Sequence, residues 1–141
     1  MANGIDPIDD GEELYRRIPE CWFDPLRGTI DPAAFGPHKD RDTSGLSVTR
    51  AKHKSIQDAA RGQSGKKYYI AVLRAGDLRR NGITIEPRPE TEAGTDPAHA
   101  ELPELNSAVR KADITLERQN LLADALCIRI EGPFQSPFDV A

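Results

Sequence analysis

Long hydrophobic runs are missing from this chain. No apolar stretch approaches the roughly 20 residues that a membrane-spanning helix needs. The opening Met1-Ala2-Asn3-Gly4-Ile5-Asp6 lacks the basic and apolar regions of a secretory leader. Both absences point to a cytoplasmic protein with no membrane partner. Cysteine is scarce too. Cys21 and Cys127 are the only two and form no CxxC pair, which argues against a cysteine-built zinc site. Each stands beside apolar residues, in Cys21-Trp22-Phe23 and Leu126-Cys127-Ile128, and reads as a reduced, mostly buried thiol. The three histidines show neither HxH nor HExxH spacing, so no metal site is expected. A GxSxG elbow and a complete phosphate loop are absent, as are repeats and low-complexity tracts. Nothing here implies a cofactor.

What remains is a 141-residue chain of single-domain size. A chain near this length buries roughly two-thirds of its unfolded surface, so neither metal nor disulfide is needed to hold it. The hydrophobic fraction of 38% beside 30% charged residues suits a compact domain with long polar loops.

Charge is segregated along the chain. Residues 1–38 carry a net −5, residues 39–80 a net +7 and residues 81–141 a net −6. The central cations either pair with acids from the two flanks or leave a positive surface that concentrates phosphates. An overall pI near 5.4 argues against a dedicated duplex-DNA binder.

Local patterns outline an α+β domain: a small mixed or antiparallel sheet of five to six short strands with two or three helices. Residues 1–11 read as a flexible lead-in, 12–133 as the domain and 134–141 as a tail. Glu13 to Ile18, closed by Pro19, reads as a strand. The stretch from Cys21 to Pro37 reads as an ordered loop whose aromatics tuck into the core. Gly45 to Thr49 alternates as a strand. Ser55 caps a helix ending near Arg61. Lys67 to Leu73 is apolar on both faces, as a covered central strand would be. A helical turn at Asp77–Gly82 precedes a strand at Ile83–Glu86 and an exposed Pro-rich loop at 87–97. His99–Leu102 reads as a short edge strand. Helices are expected at Glu104–Lys111 and at Thr115–Ala125, the latter capped by Asp113. Leu126–Ile130 is a final strand, stopped by Gly132-Pro133. Regular βα alternation is missing, which favours α+β over a doubly wound sheet.

The candidate chemistry is sparse. His99 stands where the Pro-rich loop enters a strand, a place from which an imidazole orients a substrate or moves a proton. His38 lies in a loop dense in donors and acceptors. Ser47 needs a base within hydrogen-bond reach before it can act as a nucleophile. Arg16 and Arg17 lie on the first strand, where a guanidinium can grip phosphate, and only one of the two can face inward. Arg41 and Arg50 flank Thr43-Ser44-Gly45, a hydroxyl and amide cradle for an anion. Tyr68 completes the list of ligand-binding candidates.

The order Leu14-Tyr15-Arg16-Arg17, Ala34-Phe35, Gly45-Leu46-Ser47-Val48 and Ala98-His99-Ala100 resembles a group of small uncharacterised bacterial domains. A strand-borne arginine followed by a strand-borne serine is also similar to ADP-ribosyltransferase-type, NAD-consuming toxin domains. That likeness implies a nucleotide-handling transferase or hydrolase of toxin or defence type, although no acidic residue here matches the group's late catalytic glutamate. In that reading Arg16 or Arg17 grips phosphate, Ser47 and Tyr68 position the substrate, and His38 or His99 moves the proton. With no complete catalytic motif, the first expectation is a non-catalytic binding module that presents a basic surface to a protein or phosphate-bearing partner.

Overall fold

The computed structural model describes residues 6–138. Its strands are β1 (Glu13–Pro19), β2 (Phe23–Asp24), β3 (Thr29–Ile30), β4 (Leu46–Arg50) and β5 (Lys67–Arg74). They continue as β6 (Glu86–Pro87), β7 (Glu90–Thr91), β8 (Gly94–Thr95), β9 (His99–Leu102) and β10 (Cys127–Gln135). Six of them form one antiparallel sheet in the order β10-β5-β1-β4-β9-β6. Two hairpins, β2–β3 and β7–β8, stand apart from it. The α-helices are α1 (Ile56–Ala59), α2 (Ala75–Arg80) and α3 (Asp113–Leu121). The chain is an α+β domain.

Two-residue alternation builds the sheet's two faces. Leu14 and Ile18 of β1 lie opposite Leu73 and Tyr69 of β5. With Leu46, Val48, Ala71, Ala100 and Leu102 they form one face of a core closed by Phe35, Leu78, Leu105 and Leu122. Each fully buried Leu, Ile or Phe contributes roughly 1.5–3 kcal/mol. The opposite face is covered only in part. There Ile70 and Val72 of β5 pack with Tyr15, Phe134, the α1 residues Ile56 and Ala59, and Ala60 just after them. The β4 and β9 part of that face carries Ser47, Thr49, His99 and Glu101, all half-buried. β5 is therefore buried on both faces, as its unbroken apolar run requires.

Several segments depart from the sequence expectation. The lead-in is built into the fold from Asp6 onward, because Ile8 is buried and Asp6 binds Arg50. The final strand does not stop at Gly132-Pro133, a cis peptide, but runs through it to Gln135. β10 is an edge strand with register shifts around these residues, and there the missing proline N–H is tolerated. Phe134 and Gln135 pair with Tyr68 and Lys67, and Ser136 is buried with its hydroxyl accepting the Gly62 amide at 2.9 Å. The supposed tail thus begins no earlier than Pro137. In the loop after β1, Phe35 is fully buried, but Trp22 is 38% and Leu26 96% exposed, so only part of its apolar set enters the core. Cys21 is exposed rather than buried, and both cysteines are free.

The Ser55 cap forms as expected, its hydroxyl accepting the Asp58 amide at 3.1 Å. The helix expected at Glu104–Lys111 shrinks to a 3-10 turn over Ser107–Val109, because the Asn106 side chain accepts the Ala108 amide and starts a fresh turn. Ile83 and Ile85 are buried, yet the ladder reaches only Glu86 and Pro87. Helix α3 starts at Asp113 without a side-chain cap and widens into a π turn over Leu122–Leu126. Its burial is inverted for a surface helix: Thr115 and Gln119 are buried, whereas Ile114 and Leu116 are 50% and 46% exposed. The Thr115 hydroxyl is buried with no hydrogen-bond partner. An orphaned buried polar group costs about 1–3 kcal/mol. Thr115→Val keeps the shape and removes that group, so thermal unfolding should show a gain of about 1 kcal/mol. A lowered Tm would mean that the hydroxyl finds a partner in solution.

Candidate functional site

The open part of the second face gathers the polar side chains that sequence reasoning singled out. β4 and β9 pair with Ser47 opposite Glu101 and Thr49 opposite His99, which puts all four on one surface. His99 Nδ1 lies 2.8 Å from the Arg88 carbonyl. A carbonyl only accepts, so Nδ1 carries the proton and Nε2 presents its lone pair. That lone pair faces the Ser47 hydroxyl at 3.4 Å. Asp42, buried in the loop before β4, approaches the same hydroxyl at 3.5 Å with Oδ1 while Oδ2 accepts the His38 amide at 2.6 Å. A serine between an imidazole and a carboxylate can hand its proton to either one. Its alkoxide is disfavoured by the adjacent negative charge.

Arg16 approaches this group through the main chain. The β1–β4 ladder covers only Leu14–Arg50 and Tyr15–Thr49. Beyond it the guanidinium bridges the strands, donating to the Ser47 carbonyl at 3.0 Å and to the Ala34 carbonyl at 3.1 Å. Burial lowers its pKa to about 10 against the opposing pull of Asp42. The hydrogen bonds it makes go to backbone oxygens, and its work is to stitch the strands together. Asp42 was not among the sequence candidates. Its only signal is an acid five residues before a strand-borne serine in a turn-rich loop.

The other candidates lie elsewhere. Arg50 is fully enclosed and does not face a ligand. Its guanidinium meets Glu12 at 2.7 and 2.8 Å, Asp6 at 3.1 and 3.2 Å, and the carbonyls of Asp6 and Pro7. Tyr68 is a core residue whose hydroxyl accepts the Gln63 amide at 2.9 Å. His38 is exposed, its Nδ1 accepting the Asp40 amide at 3.1 Å, and Arg41 is exposed on the same loop. Arg17 faces away from Arg16, lying 5.2 Å over the Tyr68 ring and donating to the Arg61 carbonyl. The Pro-rich loop is a connector with anchors. Lys54 meets Asp96 at 3.0 Å and the Asp96 amide donates to Pro89 at 2.6 Å. Burial pushes the Asp96 carboxyl up, but Lys54 and the Ala98 amide outweigh it and hold the group below its usual range.

The central cations divide into two sets. Arg50, Lys52, Lys54, Arg79 and Arg80 pair with carboxylates, four of the five with acids of the flanking segments. Lys52 and His53 hold the Asp6 carboxyl far below the usual carboxylate range. Among the described residues Lys39, Arg41, Arg61, Lys66, Lys67 and Arg74 form no such pair, nor does Arg17 of β1. Arg17 and Lys67 sit on paired strands beside Tyr68, and Arg61 and Lys66 bound the loop pinned by its hydroxyl. These four cations share one end of the sheet.

Among the described residues no group of three or more His, Cys, Asp or Glu is arranged to hold a metal, and no helix is long and apolar enough to cross a membrane. Compared with protein-family models, curated proteins and solved structures, the chain matches none.

Proposed function

We propose that this domain is a non-catalytic binding module whose basic end engages a phosphate-bearing partner. The reading is supported by the four cations Arg17, Arg61, Lys66 and Lys67, which belong to the β1–β5 end of the sheet and the loop pinned by the Tyr68 hydroxyl and have no carboxylate partners among the described residues. Five other cations of the central segment are neutralised within the fold, and of the six that are not, Arg61, Lys66 and Lys67 lie close in sequence at this end, where with Arg17 they add to one local positive potential. Arg17 is already held by the Tyr68 ring and the Arg61 carbonyl, which reduces the side-chain entropy lost when it meets a phosphate. A short fluorescent single-stranded oligonucleotide serves as the probe, with inorganic tripolyphosphate as competitor. Saturable binding that weakens as salt rises is expected. The triple variant Arg61→Glu, Lys66→Glu, Lys67→Glu should lose at least about tenfold in affinity, or 1.4 kcal/mol. Binding that ignores the triple substitution would remove the basis of this reading.

One observation favours a second reading. Ser47 and His99 stand 3.4 Å apart with the imidazole in the tautomer a general base requires. In a small transferase or hydrolase acting on nucleotides, Ser47 would position the substrate and His99 would move the proton. Against it, Arg16 is engaged with main-chain carbonyls and Tyr68 with Gln63. Labelling of Ser47 by a fluorophosphonate, lost in His99→Ala, would place the enzyme reading first.

A further inference from the structure

Away from the basic end and on the other face of the sheet, the β2–β3 hairpin leans over β10 and the π turn. Two adjoining clefts open there, of about 550 and 500 Å³, sharing Phe23, Thr29, Ile30 and Asp124 as walls. That is the size range of ligand pockets. The floor is apolar and fixed. Ile30 is buried, and the Phe23 ring packs on Tyr69 with centroids 4.0 Å apart. Trp22 stands at the rim, 38% exposed. Its carbonyl accepts the Asp31 amide at 2.9 Å, which closes the hairpin stem.

Three carboxylates surround this apolar floor: Asp24, whose Oδ1 accepts the Leu26 and Arg27 amides, Asp31, whose Oδ1 accepts the Ala33 amide, and Asp124. The one cation in the cleft wall, Arg129, is already neutralised by Glu13 at 2.9 Å and Glu131 at 2.8 Å. Arg27 lies loosely 3.8 Å from Asp24 with its side chain 83% exposed. Asp124 is exposed and has no cation partner among the described residues. The cleft is thus apolar at the base, aromatic at one rim and negative around the mouth.

We propose that this cleft binds an arginine side chain presented by a partner protein. The methylene stem would lie along Ile30 and Ala123, the planar guanidinium would stack on Trp22, and the unengaged Asp124 carboxylate would accept its hydrogen bonds. A guanidinium fits better than an ammonium because it both stacks and forks onto carboxylates. The cleft is opposite in sign to the basic end, so the two sites take different ligands and either can fail alone.

Trp22 is the only tryptophan, so its emission reports on the cleft directly. The protein is titrated with a short end-capped peptide carrying one arginine and, separately, with its glutamate counterpart. The arginine peptide should give a saturable emission change and the glutamate peptide none. Asp124→Lys should weaken the arginine peptide at least about tenfold. Asp124 makes none of the hairpin's cap contacts, and Asp124→Asn, which removes the charge at nearly constant shape, repeats the test should the lysine variant misfold. An absent response, an equal response to both peptides, or unchanged affinity in both variants overturns the proposal. So does a shift that appears with protein concentration alone as sedimentation shows a dimer, because the cleft would then hold a second copy.

Discussion

Arg50→Met is expected to destabilise the fold by about 3–5 kcal/mol, the range for breaking one half of a buried ion pair. Arg50 is 1% exposed and the Glu12 side chain 8%, so the carboxylate left behind can neither regain water nor find another cation. The loss reaches further than one pair. The Arg50 guanidinium also donates to the Asp6 carboxylate and to the Asp6 and Pro7 carbonyls, and through them ties the first described residues to β4. Asp6 retains Lys52 at 2.8 Å and His53 at 2.9 Å, but both contacts are partly exposed and worth little. Urea unfolding measures the effect, and the lead segment should become protease-sensitive. The double variant with Glu12→Gln should recover part of the loss, since no uncompensated charge is then buried. A loss under about 1 kcal/mol in Arg50→Met would mean that water reaches Glu12.

Gly45→Ala is the second large effect. Gly45 enters β4 at φ +148°, a region that side chains rarely adopt. A Cβ there would stand 2.6 Å from the Leu102 carbonyl oxygen and 2.9 Å from the Pro103 Cα. Both are backbone atoms on the neighbouring chain segment, so relief requires β4 and β9 to move apart rather than a rotamer change. Strain of this kind costs about 1–3 kcal/mol, and the clash adds a comparable amount. Leu46 pairs with Leu102 at the next step, so the shift enters the ladder that sets Ser47 against His99. A fall in Tm of about 10 °C is expected, on the order of 3 kcal/mol for a domain of this length. An unchanged Tm would show that the strand entry has room to adapt.

Which parts of this fold were legible in the sequence follows from where the determining contacts lie. Strands β1, β4 and β5 and the Ser55 cap are written in neighbouring residues, and each appears where the pattern puts it. The α+β architecture follows from their number and from the missing βα alternation. Helix α3 was legible as a helix, but its inner face was not, because its apolar residues do not mark that face. Leu116 is exposed while Thr115 and Gln119 are buried. β10 outlasts Gly132-Pro133 because its place at the sheet edge, invisible locally, tolerates a proline. Arg50 read as a ligand residue since its partners Asp6 and Glu12 are 44 and 38 positions away. Ser47 and His99 were each singled out, but their meeting across 52 positions depends on the β4–β9 register. The division of the cations into neutralised and unpaired sets needed the same long-range pairing, and it carries the functional reading.

Backbone amide shifts on titration with inorganic tripolyphosphate test the binding-module reading most directly. Saturable shifts confined to Arg17, Arg61, Lys66, Lys67 and the loop around Tyr68, fading as salt rises, are the predicted result. Shifts centred on Ser47 and His99, or none at all, would contradict it.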